Sequence, residues 1–407
     1  LQNSTPTAIS IDGNKYTLTI SYNGVANGTE TLTITPVADQ IFDAAGNVAS
    51  TTQNNNKLAL NEVRIKPVTV LEYDNQQGTW ASMQPRDADT HVLAYADNYN
   101  DGRIKTFNVA ADGTTVTNVN TWEHDTGNGT YNSLARRSDD VYALAYQTSS
   151  NRGNIRTFKV AANGSISSLY VLQFEGSNTA ETSLIQLKGD LFLLAYPGSG
   201  NDGMLKSYNI GTNGSISGLK TLEHNTANGW APALHKMTDS TAVLVYSDHD
   251  NSTHEIKTFQ VASDGTITEK KKVKISDNKG YWNSIAQVDS DTYLIAAQAK
   301  DEDGYLYTYD ISPDGTSITK VAELEFDEYK TRFNELYNLG SNSFLLAHAG
   351  SDQTTGTYGG TYTKIFTVPA DGSKIKQIYN TKISDHSNSQ IALSKLDADT
   401  YMMADSR

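Results

Sequence analysis

A short segment recurs along this 407-residue chain at an almost constant interval, and that interval leaves few folds open. A run ending in Leu-Ala-Tyr leads through an acidic loop to a run of the form Ile-Lys-Thr-Phe-x-Val, then to a tight turn, as in Tyr95 to Gly113. The turn pairs are Asp112-Gly113, Asn163-Gly164, Asn213-Gly214, Asp264-Gly265, Asp314-Gly315 and Asp371-Gly372. Subtraction gives intervals of 51, 50, 51, 50 and 57 residues. A fixed period near fifty marks a repeat architecture, in which each unit buries its apolar face against the next.

Each unit divides into four short strands. In the first these are Trp80–Met83, His91–Tyr95, Arg103–Val109 and Thr115–Trp122, here called a, b, c and d. The b strands recur at Tyr142–Tyr146, Phe192–Tyr196, Ala242–Tyr246, Tyr293–Ala297, Phe344–His348 and Tyr401–Asp405. Four antiparallel strands per fifty residues, seven times over, predict an all-β fold, a seven-bladed β-propeller over residues 62–407. The Gly-Gly pair of kelch repeats and the Trp-Asp dipeptide of the other common propeller family do not recur from unit to unit. The last unit supplies only Gln390–Leu396 and Thr400–Asp405, whereas Val63–Tyr73 reads as a d strand with no a, b or c before it. That N-terminal strand is expected to close the seventh blade as a clasp, removing an open edge. The blade's third strand is missing unless Lys57–Leu60 supplies it; otherwise the protein continues past Arg407, the favoured reading, which makes the chain a trimmed fragment, or the blade is incomplete.

Residues 1–61 differ from the repeats. Tyr16–Tyr22 and Thr31–Thr35 alternate apolar and polar residues, the period of half-buried strands, around a turn-rich link at Asn23-Gly24 and Asn27-Gly28. With Asp43, Gly46 and Asn47 behind them, they resemble the C-terminal half of the bacterial Ig-like domains of large secreted and surface proteins. The resemblance implies a partial Ig-like β-sandwich within a longer multidomain chain. The alternative is a small β extension of the main domain.

Charge and composition narrow the partners. A net charge of −14 and a pI near 5.0 repel phosphate backbones, which argues against nucleic acid. No run approaches eighteen apolar residues, so no helical membrane insertion is expected. There are no cysteines, hence no disulfides. Abundant Asn, Thr, Ser, Gly and Tyr with little Lys or Arg point to an extracellular or cell-surface location.

Strand alternation puts the d-to-a links and b-to-c loops on one face, and the Asp-Gly turns on the other. The turns are explained by the positive φ of type I′ hairpins. The opposite face carries Glu72-Tyr-Asp74…Trp80, Glu123-His124-Asp125…Tyr131, Glu223-His224-Asn225…Trp230, Asp277…Trp282 and Glu325-Phe-Asp327…Phe333. Sugar C–H faces stack on aromatic rings while Asn, Asp and His bond the hydroxyls, so this set suits a polysaccharide or cell-surface glycan. The same aromatics would also serve to wedge blades together; Glu181 and Gln390 break the series in the third and seventh units. In the b-to-c loops, Asp97, Asn100, Asp101, Asp301 and Asp303 offer the oxygen ligands calcium prefers, although such turns are also commonly just solvated. Asp352 belongs to the same loop class.

Catalytic signatures are poor. His-Glu-x-x-His, Gly-x-Ser-x-Gly and phosphate-binding glycine loops are all missing. His124 and His224 hold equivalent repeat positions, and no catalytic residue is assigned. Ile104 to Gly113 resembles the repeat of lactonase-type propellers, a strand-turn likeness that carries over no catalytic residue. His124, Tyr131 and Arg136 are similar to the His, Tyr and Arg set of certain propeller polysaccharide lyases. The repeated aromatic and acidic links resemble those of propeller lectins most. The implied function is an extracellular binding or adhesion module that recognises carbohydrate. The alternatives are a lyase-type enzyme and a structural spacer or surface-layer subunit.

Overall fold

The computed structural model describes residues 8–12, 15–19, 31–35, 37–42, 45–52, 57–59, 65–75, 77–351, 358–385, 390–397 and 400–406. The chain divides into two compact units, residues 1–66 and 67–407. In the first, β1 (Ala8–Asp12) pairs antiparallel with β2 (Lys15–Thr19), and β3 (Thr31–Thr33) with β4 (Lys57–Ala59). A lone bridge joins Phe42 and Val48. Strands stand near the two expected places, but two separate ladders of two strands do not make a sandwich. The Ig-like expectation thus finds no support among the described residues, and Asp43, Asp352 and His386 lie outside them.

The second unit is a β-propeller. Its first four-stranded antiparallel sheet holds β5 (Thr79–Pro85), β6 (Thr90–Ala96), β7 (Gly102–Val109) and β8 (Val116–Asp125). The second holds β9 (Thr130–Arg136), β10 (Val141–Thr148), β11 (Arg152–Val160) and β12 (Ile166–Glu175). Then come β13 (Ser183–Lys188), β14 (Leu191–Pro197), β15 (Gly203–Ile210) and β16 (Ile216–Asn225). The fourth is β17 (Gly229–Lys236), β18 (Thr241–Asp248), β19 (Thr253–Val261) and β20 (Ile267–Ser276). The fifth is β21 (Tyr281–Gln287), β22 (Thr292–Gln298), β23 (Gly304–Ile311) and β24 (Ile318–Asp327). The sixth is β25 (Thr331–Gly340), β26 (Ser343–Ser351), β27 (Tyr358–Thr367) and β28 (Lys376–Ser384). A two-stranded sheet of β29 (Ala392–Lys395) and β30 (Tyr401–Ala404) follows.

Each first strand lies against the next blade's first strand, and β29 lies against both β25 and β5, so these strands line the centre of a ring. The second strands are flanked on both edges and covered on both faces; β6, β18 and β22 are buried at every position. Outer strands such as β8 bury only one residue in ten, His124, and leave the rest exposed or half-buried.

Two sets of side chains lock blade to blade. On the inner strands Ser82, Ser133, Ser183 and Ser284 Oγ accept the N–H of Leu134, Leu184, Leu234 and Leu336 in the following blade, at 2.9–3.0 Å. On the third strands Thr106, Thr157, Ser207, Thr258 and Thr308 donate to the carbonyls of Gly164, Gly214, Gly265, Gly315 and Gly372, at 2.6–2.8 Å. These bonds explain why the hydroxyl in Ile-Lys-Thr-Phe recurs. The acceptor turns are not the expected type I′. Only the glycines have positive φ, from 62° to 85°, while the preceding Asp or Asn does not. Gly113 N–H donates to Ala110 O at 2.8 Å, and Asp112 Oδ1 accepts from Thr114 N–H at 3.0 Å. That is a type I turn completed by a left-handed glycine, because the Asp side chain holds its own backbone in the ordinary region.

The seventh unit also departs from expectation. Among the described residues it is the hairpin β29–β30 and not a four-stranded blade. Residues 65–73 carry no strand, and Val63 lies outside the described residues. Lys57–Ala59 pairs within its own unit, and no described residue supplies a strand between β30 and this segment. A ladder has nothing to pair with there. Even so, Val68 sits beside Gly113 as Val119, Leu169 and Leu219 on outer strands sit beside Gly164, Gly214 and Gly265.

A candidate ligand pocket where the inner strands begin

Every complete blade begins its inner strand with a residue in the left-handed region. These are Trp80, Tyr131, Glu181, Ala231, Trp282 and Phe333, with φ of 56°, 54°, 33°, 52°, 53° and 54°. In five of the six blades a bulge shifts the register here. A bulge re-aims a side chain, and left-handed non-glycine residues persist only where their surroundings hold them. The hold comes from the next blade. Asn132 Nδ2 donates to Trp80 O at 3.1 Å, Thr182 Oγ1 to Tyr131 O at 2.7 Å, Asn283 Nδ2 to Ala231 O at 2.9 Å and Asn334 Nδ2 to Trp282 O at 3.1 Å.

The series is not seven equal sites. Trp80 packs on Tyr131 with ring centroids 3.8 Å apart, and Trp282 on Phe333 at 4.1 Å. These two pairs are contacts between neighbouring blades. Between the pairs stand Glu181 and Ala231, and Trp230 is one residue earlier than the bulge, in the place that Tyr281 holds in the next blade. Two missing rings leave space: a cavity of about 570 Å³ opens there, within the size range of small-ligand sites. Its aromatic walls are Trp230, Tyr281, Trp282 and His249, its polar rim is Asn201, Asn228, Asp250 and Lys279, and Glu181 faces into it. All of these come from d-to-a links, strand starts and b-to-c loops.

Glu181 is the unusual group. Its Oε2 accepts the Ala231 N–H at 2.6 Å. Burial pushes its carboxyl up to about 7, against the lowering effect of that bond. Burial, and then the charge of Glu181, raise the hydroxyls of Tyr131 and Tyr281 above the ordinary tyrosine value. His249 lies over Trp230, with centroids 5.8 Å apart and planes at 23°, and meets Tyr281 edge-on at 5.1 Å. Burial and then Lys279 hold its imidazole below the ordinary value, so it is neutral at pH 7. Its Nε2 has no hydrogen-bond partner among the described residues, while its backbone N–H donates to Asn228 O at 3.0 Å. Asn228 Nδ2 in turn donates to Asp250.

Of the eleven ligand-binding candidates, the pocket gathers Trp230 and Trp282. Trp80, Tyr131 and Phe333 take part in the blade-to-blade pairs. His124 and His224 are 3% and 8% exposed, lie edge-on to Tyr146 and Tyr246, and are held by burial down to about 3. They are core rings without access to a ligand. Asp125 Oδ1 accepts the N–H of Gly127 and Asn128, Asn225 Oδ1 that of Ala227, and Asp327 Oδ1 that of Tyr329, so these three fasten the links themselves. Asp277 is exposed and pairs with Lys274. The sequence reading missed Glu181, Tyr281, His249, Asn201, Asn228, Asp250 and Lys279 as one site. The signal was the break in the aromatic series at Glu181, followed in the next blade by Ala231, which also lacks a ring.

The acidic loops divide. Asp97 Oδ1 accepts the N–H of Tyr99 and Asp101, each at 3.0 Å, and Oδ2 accepts Arg103 Nε at 2.9 Å. A guanidinium thus occupies the place a cation would take, with Asp101 3.8 Å from it and Asn100 left-handed in the turn between. In the other loop, burial and then Glu325 push the Asp303 carboxyl up to about 6, while Asp301 is exposed beside Lys300. Among the described residues no three His, Asp or Glu side chains gather as a metal-holding group, and no helix is long and apolar enough to cross a membrane.

Fold and pocket together define a β-propeller with an asymmetric cavity on its link face. Neither a family model nor a curated protein matches the sequence. Among solved structures, a presumed 6-phosphogluconolactonase from Bacteroides fragilis is similar, with a TM-score of 0.55 at 14% identity over 82% of this chain and 89% of that one. Another, from Bacteroides uniformis, has a TM-score of 0.57 at 9% identity over 75% of this chain and 85% of that one. At such identities the likeness is one of fold.

Proposed function

We propose that this chain is a carbohydrate-binding propeller of the cell surface or extracellular space. One observation carries the reading: Trp230, Tyr281 and Trp282 stand around a cavity whose rim holds amides and charged groups. Rings for C–H stacking with directional polar partners are what a sugar requires. The proposal extends to a seventh blade built on β29–β30 with residues 67–73 in its outer place, to an Ig-like origin for residues 1–61, and to calcium at Asp301 and Asp303. Calorimetry across neutral, acidic and amino polysaccharides tests it. Trp282→Ala is expected to abolish binding, whereas Trp80→Ala, outside the cavity, retains it. Flat traces for every polysaccharide class count against the reading.

Catalysis on a sugar is the second reading. It is favoured by convergence on one cavity and by a single carboxyl that titrates near neutrality, the range suited to a general acid or base. The fold neighbours named as lactonases make sugar lactones the first substrates to try, with acidic polysaccharides next. Turnover lost in Glu181→Gln would support it, and turnover unchanged in that variant would end it.

A further inference from the structure

The charge inside the pocket points to a narrower ligand class. Among the six residues that open the inner strands, Glu181 alone is ionisable as an acid below pH 9; the others are Trp80, Tyr131, Ala231, Trp282 and Phe333. Its Oε2 is taken by the Ala231 N–H, and among the described residues no hydrogen bond reaches Oε1. The groups that face it from the surrounding links are Tyr131 and Tyr281, both neutral, then His249, neutral, with Asp250 and Lys279 of opposite sign. Asp250 and Lys279 offset each other, which leaves the ionised pocket with one uncompensated negative charge. A half-buried carboxylate with one oxygen left without a donor is harder to ionise than one in open water, and a cation brought to it lowers that cost. Aromatic faces favour the same visitor, since the ring quadrupole attracts a positive charge within about 6 Å. A neutral sugar supplies neither effect.

We infer that the pocket takes an amino sugar whose nitrogen is free of acetyl, with the ammonium at Glu181 Oε1 and the sugar ring against Trp230 and Trp282. The inference rests on the carbohydrate reading and narrows it. Because Glu181 holds a proton through much of the neutral range, capture of the ammonium displaces that proton.

The test is calorimetry with de-N-acetylated chitin oligomers and with their N-acetylated counterparts, in two buffers of different ionisation enthalpy. The free-amine oligomer is expected to bind on the order of tenfold more tightly. Proton release is expected to accompany it, and Glu181→Gln to erase both the preference and the release. Equal binding of the two oligomers, or a preference that survives Glu181→Gln, overturns the inference while leaving the carbohydrate reading intact. Should neither oligomer bind, choline decides. Choline binding that Trp282→Ala removes would keep the cation site and discard the sugar, and no choline binding would overturn both.

Discussion

Tyr73 meets Tyr95 edge-on, with ring centroids 5.2 Å apart and planes at 80°, although Tyr73 belongs to no strand. The contact repeats around the ring. His124 meets Tyr146, Phe174 meets Tyr196, His224 meets Tyr246 and Phe326 meets His348, at 4.7–5.2 Å. In each of those cases the first ring ends an outer strand and the second ends the next blade's second strand. The backbone follows suit. Lys105 Nζ donates to Tyr73 O as Lys206 does to Phe174 O and Lys257 to His224 O. Tyr73 therefore makes the contact that the end of an outer strand makes with the next blade elsewhere in the ring, and it couples residues 67–73 to the first blade.

Removing that coupling should loosen the ring at one known point. Tyr73→Ala is expected to cost about 2–3 kcal/mol, at or below the low end of the range for deleting a fully buried aromatic because Tyr73 is half-buried. Tyr73→Phe, which loses only the hydroxyl bond to Gly78 O at 2.7 Å, is expected to cost about 1 kcal/mol. Denaturant unfolding gives both values. Equal costs for the two would assign the contribution to the hydroxyl and remove the ring contact from the account.

The repeat supplies its own control for acid sensitivity. His124 and His224 occupy the place that Phe174 and Phe326 hold in other blades, each ring lying over the glycine that opens its third strand. Burial lowers both imidazoles from 6.5 to about 3. Between those limits the unfolded chain binds protons that the folded chain refuses, so the stability involved is present above pH 6.5 and is lost as pH falls toward 3. His124→Phe with His224→Phe is expected to recover about 3 kcal/mol per site at pH 4. At pH 7 the change is expected to be neutral or favourable, since among the described residues neither nitrogen of His124 has a partner. An acid midpoint that stays put in the double variant would show that other groups govern it.

The period, the four-strand unit and the burial of the second strands were legible because hydrophobic alternation and turn residues are local. So was the division of loops between faces, which follows from strand direction alone. The pocket was not. It arises where the aromatic series fails, at Glu181 and Ala231, and it takes His249 from a loop and Tyr281 from a link in different repeats. Trp230 was aligned one residue out, because an aromatic in the sequence looks like the bulge residue whether or not it carries the left-handed φ. His124 and His224 misled for a related reason: a polar ring next to an acid reads as a site, and only packing reveals that it is core.

Calcium would bind the acidic loops unequally. Arg103 already neutralises Asp97 at 2.9 Å, whereas Asp303 faces Glu325 and keeps its proton up to about 6. Calcium at pH 7.5 is expected to raise the unfolding midpoint through the second loop alone, contributing about 2.7 kcal/mol at a hundredfold excess over Kd. The same titration with Asp303→Asn should show no rise. A calcium-dependent rise retained in that variant would move the ion elsewhere, and no rise in the parent protein would end the calcium proposal.

Glu335 opposes stability at the centre of the ring. It pairs with Ala347 across the inner ladder, in the position where four other blades place Ser82, Ser133, Ser183 and Ser284. The serines are small and accept one N–H each; a carboxylate there is withdrawn from water, and burial pushes it from 4.5 to about 8. The folded chain therefore holds a proton that the unfolded chain has released, so the contribution is favourable below pH 4.5 and is lost as pH rises through 8. Glu335→Gln cannot titrate and keeps the shape. It is expected to match the parent near pH 5 and to exceed it by roughly 2 kcal/mol at pH 9, after allowance for the water that still reaches this half-buried group. Denaturant midpoints at pH 5, 7 and 9 read the difference directly. A gap of the same size at all three values would mean that the substitution acts through packing and that the carboxyl is ionised throughout.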